Sequence, residues 1–424
     1  MAKKKEEKIM KKSYSIATVL VTAVMVLGIL GIAGAPNTTQ AQTSGPIIIK
    51  VGMPTVLSGP AAPWGQIGME PYLTWIELFN KEGFKVGGKT YNFKLITVDD
   101  KNTPEGGAAA AKQLIYGDGC KFLAGHWSWN FPSVSAVANQ AKVIFMTRTG
   151  NEAVPGGLYD PKKMPYVVFA NPSQEQFTSD LFALVDAFPK YKKIGLLDCT
   201  IGKGPGWDLV EADLKKAGIR YTNEWFPFGT QDFTPYITRF KEAGVDIVYI
   251  AGWVGESMAF AKQRWEMGYK DMRVGHSGPF VDVNMYNAVC GLDAAQGFIG
   301  QYWANWDFKK TKVNPKYIGM CRETLRIVSE KQGKPFAYTG WIGWLPSHLL
   351  ILAQAMEKAG IVDDTDAIMK AIRGGTFETT TGKWTMSGAK TYGSPVVFGT
   401  PSGLSMIKGD KEVYLSEHPM KPLP

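Results

Sequence analysis

Apolar β-branched runs and amphipathic helical stretches take turns along almost the whole chain, and that alternation narrows the fold more than any single residue does. Ile47 to Met53 is a continuous apolar-rich run, the pattern of a strand buried on both faces. A helical pattern follows from Gln66 to Lys81, carried by Tyr72, Trp75, Ile76 and Phe79. The cycle recurs with strand 93–98, helix 105–116, strand 122–123, helix 133–141 and strand 143–146. A second series runs through helix 174–188, strand 194–197, helix 207–217, a short strand near Trp225, helix 233–243, strand 247–250 and helix 256–267. Such spacing predicts βαβ units and parallel sheets. Two series separated by the Pro-containing stretch Pro155 to Pro172 predict an α/β protein of two doubly wound lobes. In open sheets of this kind ligands bind beyond the carboxyl ends of the strands, so the residues after Met53, Leu123, Met146, Leu197, Ile250 and Val274 are the site candidates.

The net charge of +9 invites a nucleic-acid reading until its location is considered. Residues 1–12 hold six lysines against Glu6 and Glu7, and Ile16 to Ala33 carries no charge at all. This is the pattern of a secretory signal peptide, with Thr39 and Ala41 at the −3 and −1 places of a cleavage site. The apolar run is also just long enough to span a membrane, so an uncleaved anchor is the alternative. No Cys lies near the cut, which argues against a lipid anchor. Without residues 1–42 the charge falls to +5, and nucleic-acid binding loses its main support.

Cys120, Cys199, Cys290 and Cys321 allow three pairings, with Cys290 and Cys321 one possible couple and buried thiols the alternative. No C-x-x-C occurs, and His126, His276, His348 and His418 are widely spaced, so neither a metal site nor a cofactor is expected. Catalytic motifs fare poorly too. Gly275-His276-Ser277-Gly278 lacks the last Gly of a nucleophile elbow, having Pro279 there. The glycines at 202, 204 and 206 do not form a dinucleotide fingerprint. Asp99 and Asp100 are neighbours on an extended segment, which aims them at opposite faces; a turn role beside Asn102 and Pro104 suits them better. No enzyme is expected.

The loops after the predicted strands are rich in aromatic and small polar residues. They read SGPAAPWG from Ser58, GHWSWN from Gly125, TRTGN from Thr147, DCTIG from Asp198, GWVG from Gly252 and GHSG from Gly275. With the opening I-K-V-G-x(4)-LSGPAAxWG, the VDDKNTPEGG turn, the AGH loop and the D-I-V-Y-x-x-G-W segment, the chain resembles the leucine/isoleucine/valine-binding branch of the type I periplasmic binding proteins over residues 46–415. The resemblance implies two lobes joined by a three-crossover hinge, one of 46–170 plus 299–385 and the other of 171–298 plus the tail 386–424.

It also implies residue roles. Trp64 falls where the family places an aromatic over the ligand, and Ser128 and Trp129 fall in the loop that meets a ligand carboxylate. Thr149 and Asn151 finish that contact. Ile201 lies near a position often held by Tyr, one residue out of step, and Trp253 stands where another aromatic is usual. Two departures shape the ligand. Amino-acid receptors of the family place a Glu in the Gly275–Gly278 loop for the ammonium; here Ser277 occupies the place, and a buried ammonium without a carboxylate costs several kcal/mol. Micromolar affinity amounts to only about 8 kcal/mol. Glu256 or Asp282 are the substitutes that keep an amino acid in play. Arg148 replaces an uncharged residue and can hold a carboxylate through paired hydrogen bonds, its alternative being a surface Arg. Trp64, Trp127, Trp129 and Trp253 suit a box for a flat or apolar ligand, against core packing.

The expected function is therefore an extracytoplasmic, monomeric binding protein that delivers a small apolar or aromatic carboxylate to an ABC permease in the inner membrane. A branched-chain amino acid receptor of the same class is the first alternative, and a ligand-sensing module without a transport role the second. The C-terminal third reads as framework, with helices over 317–330 and 341–358, a returning segment at 382–386 and an N-cap at Asp364 or Thr365.

Overall fold

The computed structural model describes residues 45–418 apart from 60–61, 67, 127–129, 148–158, 171–172, 201–204, 228, 252–253, 278–282, 303–308, 337–338 and 400. The proposed signal peptide lies outside the described residues. Residues 46–424 form one compact unit.

Its strands are β1 (Ile47–Thr55), β2 (Phe84–Val86), β3 (Lys89–Asp99), β4 (Phe122–His126), β5 (Ile144–Thr147), β6 (Val167–Ala170), β7 (Lys193–Cys199), β8 (Arg220–Phe226), β9 (Ile247–Ala251), β10 (Arg273–Ser277), β11 (Ile299–Tyr302), β12 (Thr376–Thr379), β13 (Gly382–Thr385), β14 (Val397–Phe398), β15 (Ser402–Lys408) and β16 (Lys411–His418). They build two seven-stranded sheets, β14-β6-β5-β4-β1-β3-β2 and β16-β15-β11-β10-β9-β7-β8, and a small β12-β13 hairpin. In the first sheet only β2 runs antiparallel to its neighbour; in the second only β15 and β16 do. The two doubly wound lobes read from the alternation are thus present. Strands β5 and β9 are buried along their whole length, as sheets covered by helices on both faces require.

Each sheet has its own core. Trp75, Phe79, Phe84 and Phe93 stack beneath the first, with centroid separations of 5.2 Å for Trp75–Phe79 and 5.0 Å for Phe84–Phe93. Phe226, Phe233, Phe240 and Phe260 pack under the second. The chain passes between the sheets three times, after β6, after β11 and after β14. The lobe limits expected at 298/299 and 385/386 do not coincide with sheet membership, because β11 pairs with β10 in the second sheet and β14 pairs with β6 in the first.

Local chemistry explains the other differences. Gly87 and Gly88, at φ 56° and 78°, make the two-residue turn that lets β2 fold back on β3, so the strand expected at residue 93 begins at Lys89. The helix expected over 341–358 is two, Thr339–Trp344 and Pro346–Ala359, because Pro346 brings no N–H and begins a new helix. Asp364 caps its helix as read, accepting from the Ala367 N–H at 3.0 Å. None of the four cysteines is in a disulfide. A Cys290–Cys321 bond is not formed: Cys321 belongs to the first core, whereas Cys290 packs against the second. Burial pushes the Cys290 thiol up to about 11 and the Cys321 thiol up to about 12. Among the described residues no helix is long and apolar enough to cross a membrane, and no cluster of His, Cys, Asp and Glu could hold a metal.

Candidate functional site

In each sheet the winding reverses beside the first strand. β1 is flanked by β3 and β4, and β7 by β8 and β9, so the crevices open beyond the carboxyl ends of β1/β4 and β7/β9. The sequence candidates end or follow strands that border these crevices or lie next to them in the sheets. Trp64 lies in the short helix Ala62–Gln66 after β1, and Ser277 is the last residue of β10. Trp127, Ser128 and Trp129 follow β4; Arg148, Thr149 and Asn151 follow β5; Ile201 follows β7 and Trp253 follows β9. These eight lie outside the described residues. The strands they follow are adjacent, β5-β4-β1 in one sheet and β10-β9-β7 in the other.

At the end of β1 the first-lobe rim is fixed by a carboxylate, an amide side chain and a glycine. Asp99, at the end of β3 and opposite Thr55 in the register, accepts the N–H groups of Leu57 and Lys101, each at 2.9 Å. Burial raises this carboxyl, but hydrogen bonds from Ser58, Leu57 and Lys101 outweigh it and hold the group below the usual carboxylate range. The loop that leads to Trp64 is thereby tied to β3. Gln66 adds a second tie, donating to the Leu57 carbonyl at 2.8 Å. Gly65 lets the helix come down on the strand end, since a Cβ there would lie 1.8 Å from the Val56 oxygen.

The rest of the VDDKNTPEGG segment is equally structural. Asp100 accepts from the Asn102 N–H at 2.8 Å, as the turn reading requires. Lys101 and Asn102 both turn at φ 54°. Thr103 caps helix Pro104–Lys112 through the Gly106 N–H. Gly107 then lets that helix approach the loop after β4, where a Cβ would meet Asn130 Nδ2 at 2.4 Å.

The AGH loop has a specific geometry. Pairing between β4 and β5 slips between Ala124 and His126, and Gly125 sits in the slip at φ 80°. A bulge there turns the chain as it leaves the sheet toward Trp127, a device common beside binding sites. Beneath it lie Met53 and the fully buried ring of Tyr72. Burial pushes the Tyr72 phenol far above its usual range, so it stays a neutral hydroxyl.

In the second lobe Asp198, the penultimate residue of β7, accepts from its neighbour Cys199 N–H at 2.6 Å and from Trp207 Nε1 at 2.7 Å. This fixes the start of helix Pro205–Lys216 to the strand end, bracketing the segment that contains Ile201. Trp207 meets Trp225 edge to face at 5.5 Å, so both indoles are scaffold. Glu256 stands half-buried in the first turn of helix Val254–Glu266, directly after β9, and Asp282 lies outside the described residues. His276 is buried within β10 rather than presented on a turn. Sequence reasoning did not pair Asp198 with Trp207, because the fold of β7 into the following helix is what brings them together.

Two α/β lobes, three chain crossings and aromatic-rich segments after adjacent strand ends define a small-molecule binding protein. The chain belongs to the periplasmic binding protein family, whose sequence profile matches residues 48–396. It is similar to the Leu/Ile/Val-binding protein homolog 3 of Brucella melitensis, with 26% identity over 82% of this chain and 89% of the relative. Its fold is that of the branched-chain amino acid transporter substrate binding protein LivJ from Streptococcus pneumoniae, solved with isoleucine, at a TM-score of 0.67 and 16% identity over 88% of this chain and 100% of that one. It is also that of an ABC transporter solute binding protein from Rhodopseudomonas palustris, solved with 3,4-dihydroxybenzoic acid, at a TM-score of 0.66 and 20% identity over 88% and 97%.

Proposed function

We propose that this protein is the extracytoplasmic substrate-binding component of an ABC importer, exported by residues 1–42 and closing its lobes on a small apolar or aromatic carboxylate. The observation that supports the reading is that the strands these ten residues end or follow in sequence are neighbours, β5-β4-β1 in one sheet and β10-β9-β7 in the other, with Ser277 rather than a carboxylate ending β10. On this reading Trp64, Trp127, Trp129 and Trp253 wall the ligand, while Arg148, Ser128, Thr149 and Asn151 take its carboxylate. Ile201 and Ser277 complete the second-lobe side. The protein works as a monomer, needs no cofactor, and hands its ligand to an inner-membrane permease.

Glu256 favours a second reading, a branched-chain amino acid. It lies in the first turn of the helix after β9, the strand paired with β10, and on this reading it replaces the carboxylate that Ser277 does not supply. A titration panel separates the two. Calorimetry with benzoate, 4-hydroxybenzoate and 3,4-dihydroxybenzoate against leucine, isoleucine and valine is expected to give micromolar or tighter binding for an aromatic acid. Tight leucine binding with no response to the aromatic acids overturns the first reading in favour of the second. A ligand-sensing module without transport predicts binding but no loss of uptake when the gene is deleted.

A further inference from the structure

The second crossover, between β11 and helix Pro315–Gln332, is held by a carboxylate that belongs to β16. Glu417 of β16 is 4% exposed and accepts the backbone N–H groups of Lys309 at 2.9 Å and Lys310 at 2.8 Å through Oε2, and that of Thr311 through Oε1. In the register it faces Gly403, next to the start of β15 and hence to the third crossover. The far end of the segment is tied to the other lobe. Asn314 caps helix Pro315–Gln332 and donates to Glu378 of β12 at 2.7 Å, and the β12-β13 hairpin packs Phe377 and Trp384 into the first core. Thr311 stands at the border, its methyl 2.8 Å from where a Cβ on Gly382 would sit. Between the two ties, Lys312 and Val313 make no hydrogen bond among the described residues.

We infer that Glu417 is a hinge clasp: it keeps residues 309–311 on the second lobe, confines bending of the described part of this crossover to Lys312 and Val313, and so limits how far the lobes open. Three N–H donors converging on one buried carboxylate make a strong, directional restraint, because releasing it strands a charge and several backbone donors together. Burial raises the Glu417 carboxyl, and the bonds from Thr311, Lys310 and Lys309 more than reverse this, so the group is held ionised. The restraint is a positioning device: it touches no ligand and acts through the set of lobe separations that the ligand meets.

The inference rests on the reading of the chain as lobes that close on a ligand, so its test uses none. Distance labels are placed on two exposed positions, Lys112 in the first lobe and Lys216 in the second, as azido amino acids that leave the native thiols alone. Single-molecule energy transfer then reports the spread of lobe separations. The parent protein is expected to show one narrow distribution and Glu417→Gln one at least twice as wide. Val313→Gly widens it with Glu417 in place, whereas Lys309→Gly widens it only in the Glu417→Gln background. A Glu417→Gln distribution that superimposes on the parent, or equal widening by both glycine variants, overturns the clasp. Should Glu417→Gln fail to fold, the glycine pair decides alone. A separation that does not change on adding 3,4-dihydroxybenzoate or L-isoleucine counts against the functional reading and leaves the clasp standing.

Discussion

Asp99 illustrates what a single side chain does for a site it does not enter. Its carboxylate is the fixed point from which Leu57 and Ser58 carry the chain toward Trp64, and its hydrogen bonds depress its pKa despite partial burial. A carboxyl with a lowered folded-state pKa contributes stability that is present above the unfolded value and lost as pH falls through the folded one. Asp99→Ala is expected to cost about 1–2 kcal/mol at neutral pH, from the loss of two or three charge-assisted bonds at a half-buried position. The gap between parent and variant should narrow as the pH drops below about 3.9, where the unfolded carboxylate protonates, and should narrow further through the folded value. Urea unfolding from pH 7 to the acid limit of solubility measures it. A gap that is constant across that range would mean that the side chain acts by shape and not by charge.

At the scale of elements, glycines decide how closely the functional loops approach the sheets. Gly65 and Gly125 flank the same crevice for different reasons. Gly65 has no room for a Cβ, whereas a Cβ on Gly125 would make ordinary contacts at 3.4 Å with Met53 and Tyr72, so only its φ of 80° resists a side chain. Gly125→Ala is therefore expected to cost about 1–2 kcal/mol, the strain of a left-handed residue. It should also shift the loop after β4 enough to weaken ligand binding, while Gly65→Ala unseats the helix carrying Trp64 and costs more. Denaturation midpoints together with calorimetric titration of both variants check the order, and an alanine at 125 with unchanged stability and affinity would remove the bulge from the site. The strands that position these loops were legible because a strand buried on both faces is apolar without a break, as at Ile247–Ala251. The crevices were legible for the same reason: once strand ends and their order are known, their place follows. Short-range geometry was legible where the signal is local, as with the Asp100 turn and the Asp364 cap. The β2-β3 turn carried a Gly87-Gly88 signal that pattern reading passed over, since a three-residue strand shows no period. Glu417 carried none: its partners lie 106 to 108 residues earlier, and nothing about a glutamate near a C-terminus foretells them.

For the molecule as a whole, what matters is how two separate cores come to act as one. The first core draws on residues from Ile49 to Phe169 and from Cys321 to Phe398; the second draws on Leu181 to Ile299 with Leu404 and Ile407. Among the described residues no buried one is common to both. Among the partly buried side chains of the described residues, Met285 alone packs against the first core and the second, from helix Val283–Cys290, which lies between β10 and β11. A flexible thioether at such a place can follow a moving surface, filling an irregular gap without demanding one register. If its contact with the first core is made only when the lobes are near one another, it favours the closed arrangement. Truncation should therefore act on the opening equilibrium. If closure is coupled to binding, a side chain worth about 1 kcal/mol in the closed state alone changes the apparent affinity by about fivefold. Met285→Ala is expected to weaken binding of whichever acid the titration panel identifies by three- to tenfold, chiefly through faster dissociation. Met285→Leu, close in volume, should restore most of it. Stopped-flow dissociation with the two variants decides the matter: equal off-rates for alanine and parent would show that the contact forms in open and closed arrangements alike and has no part in closure.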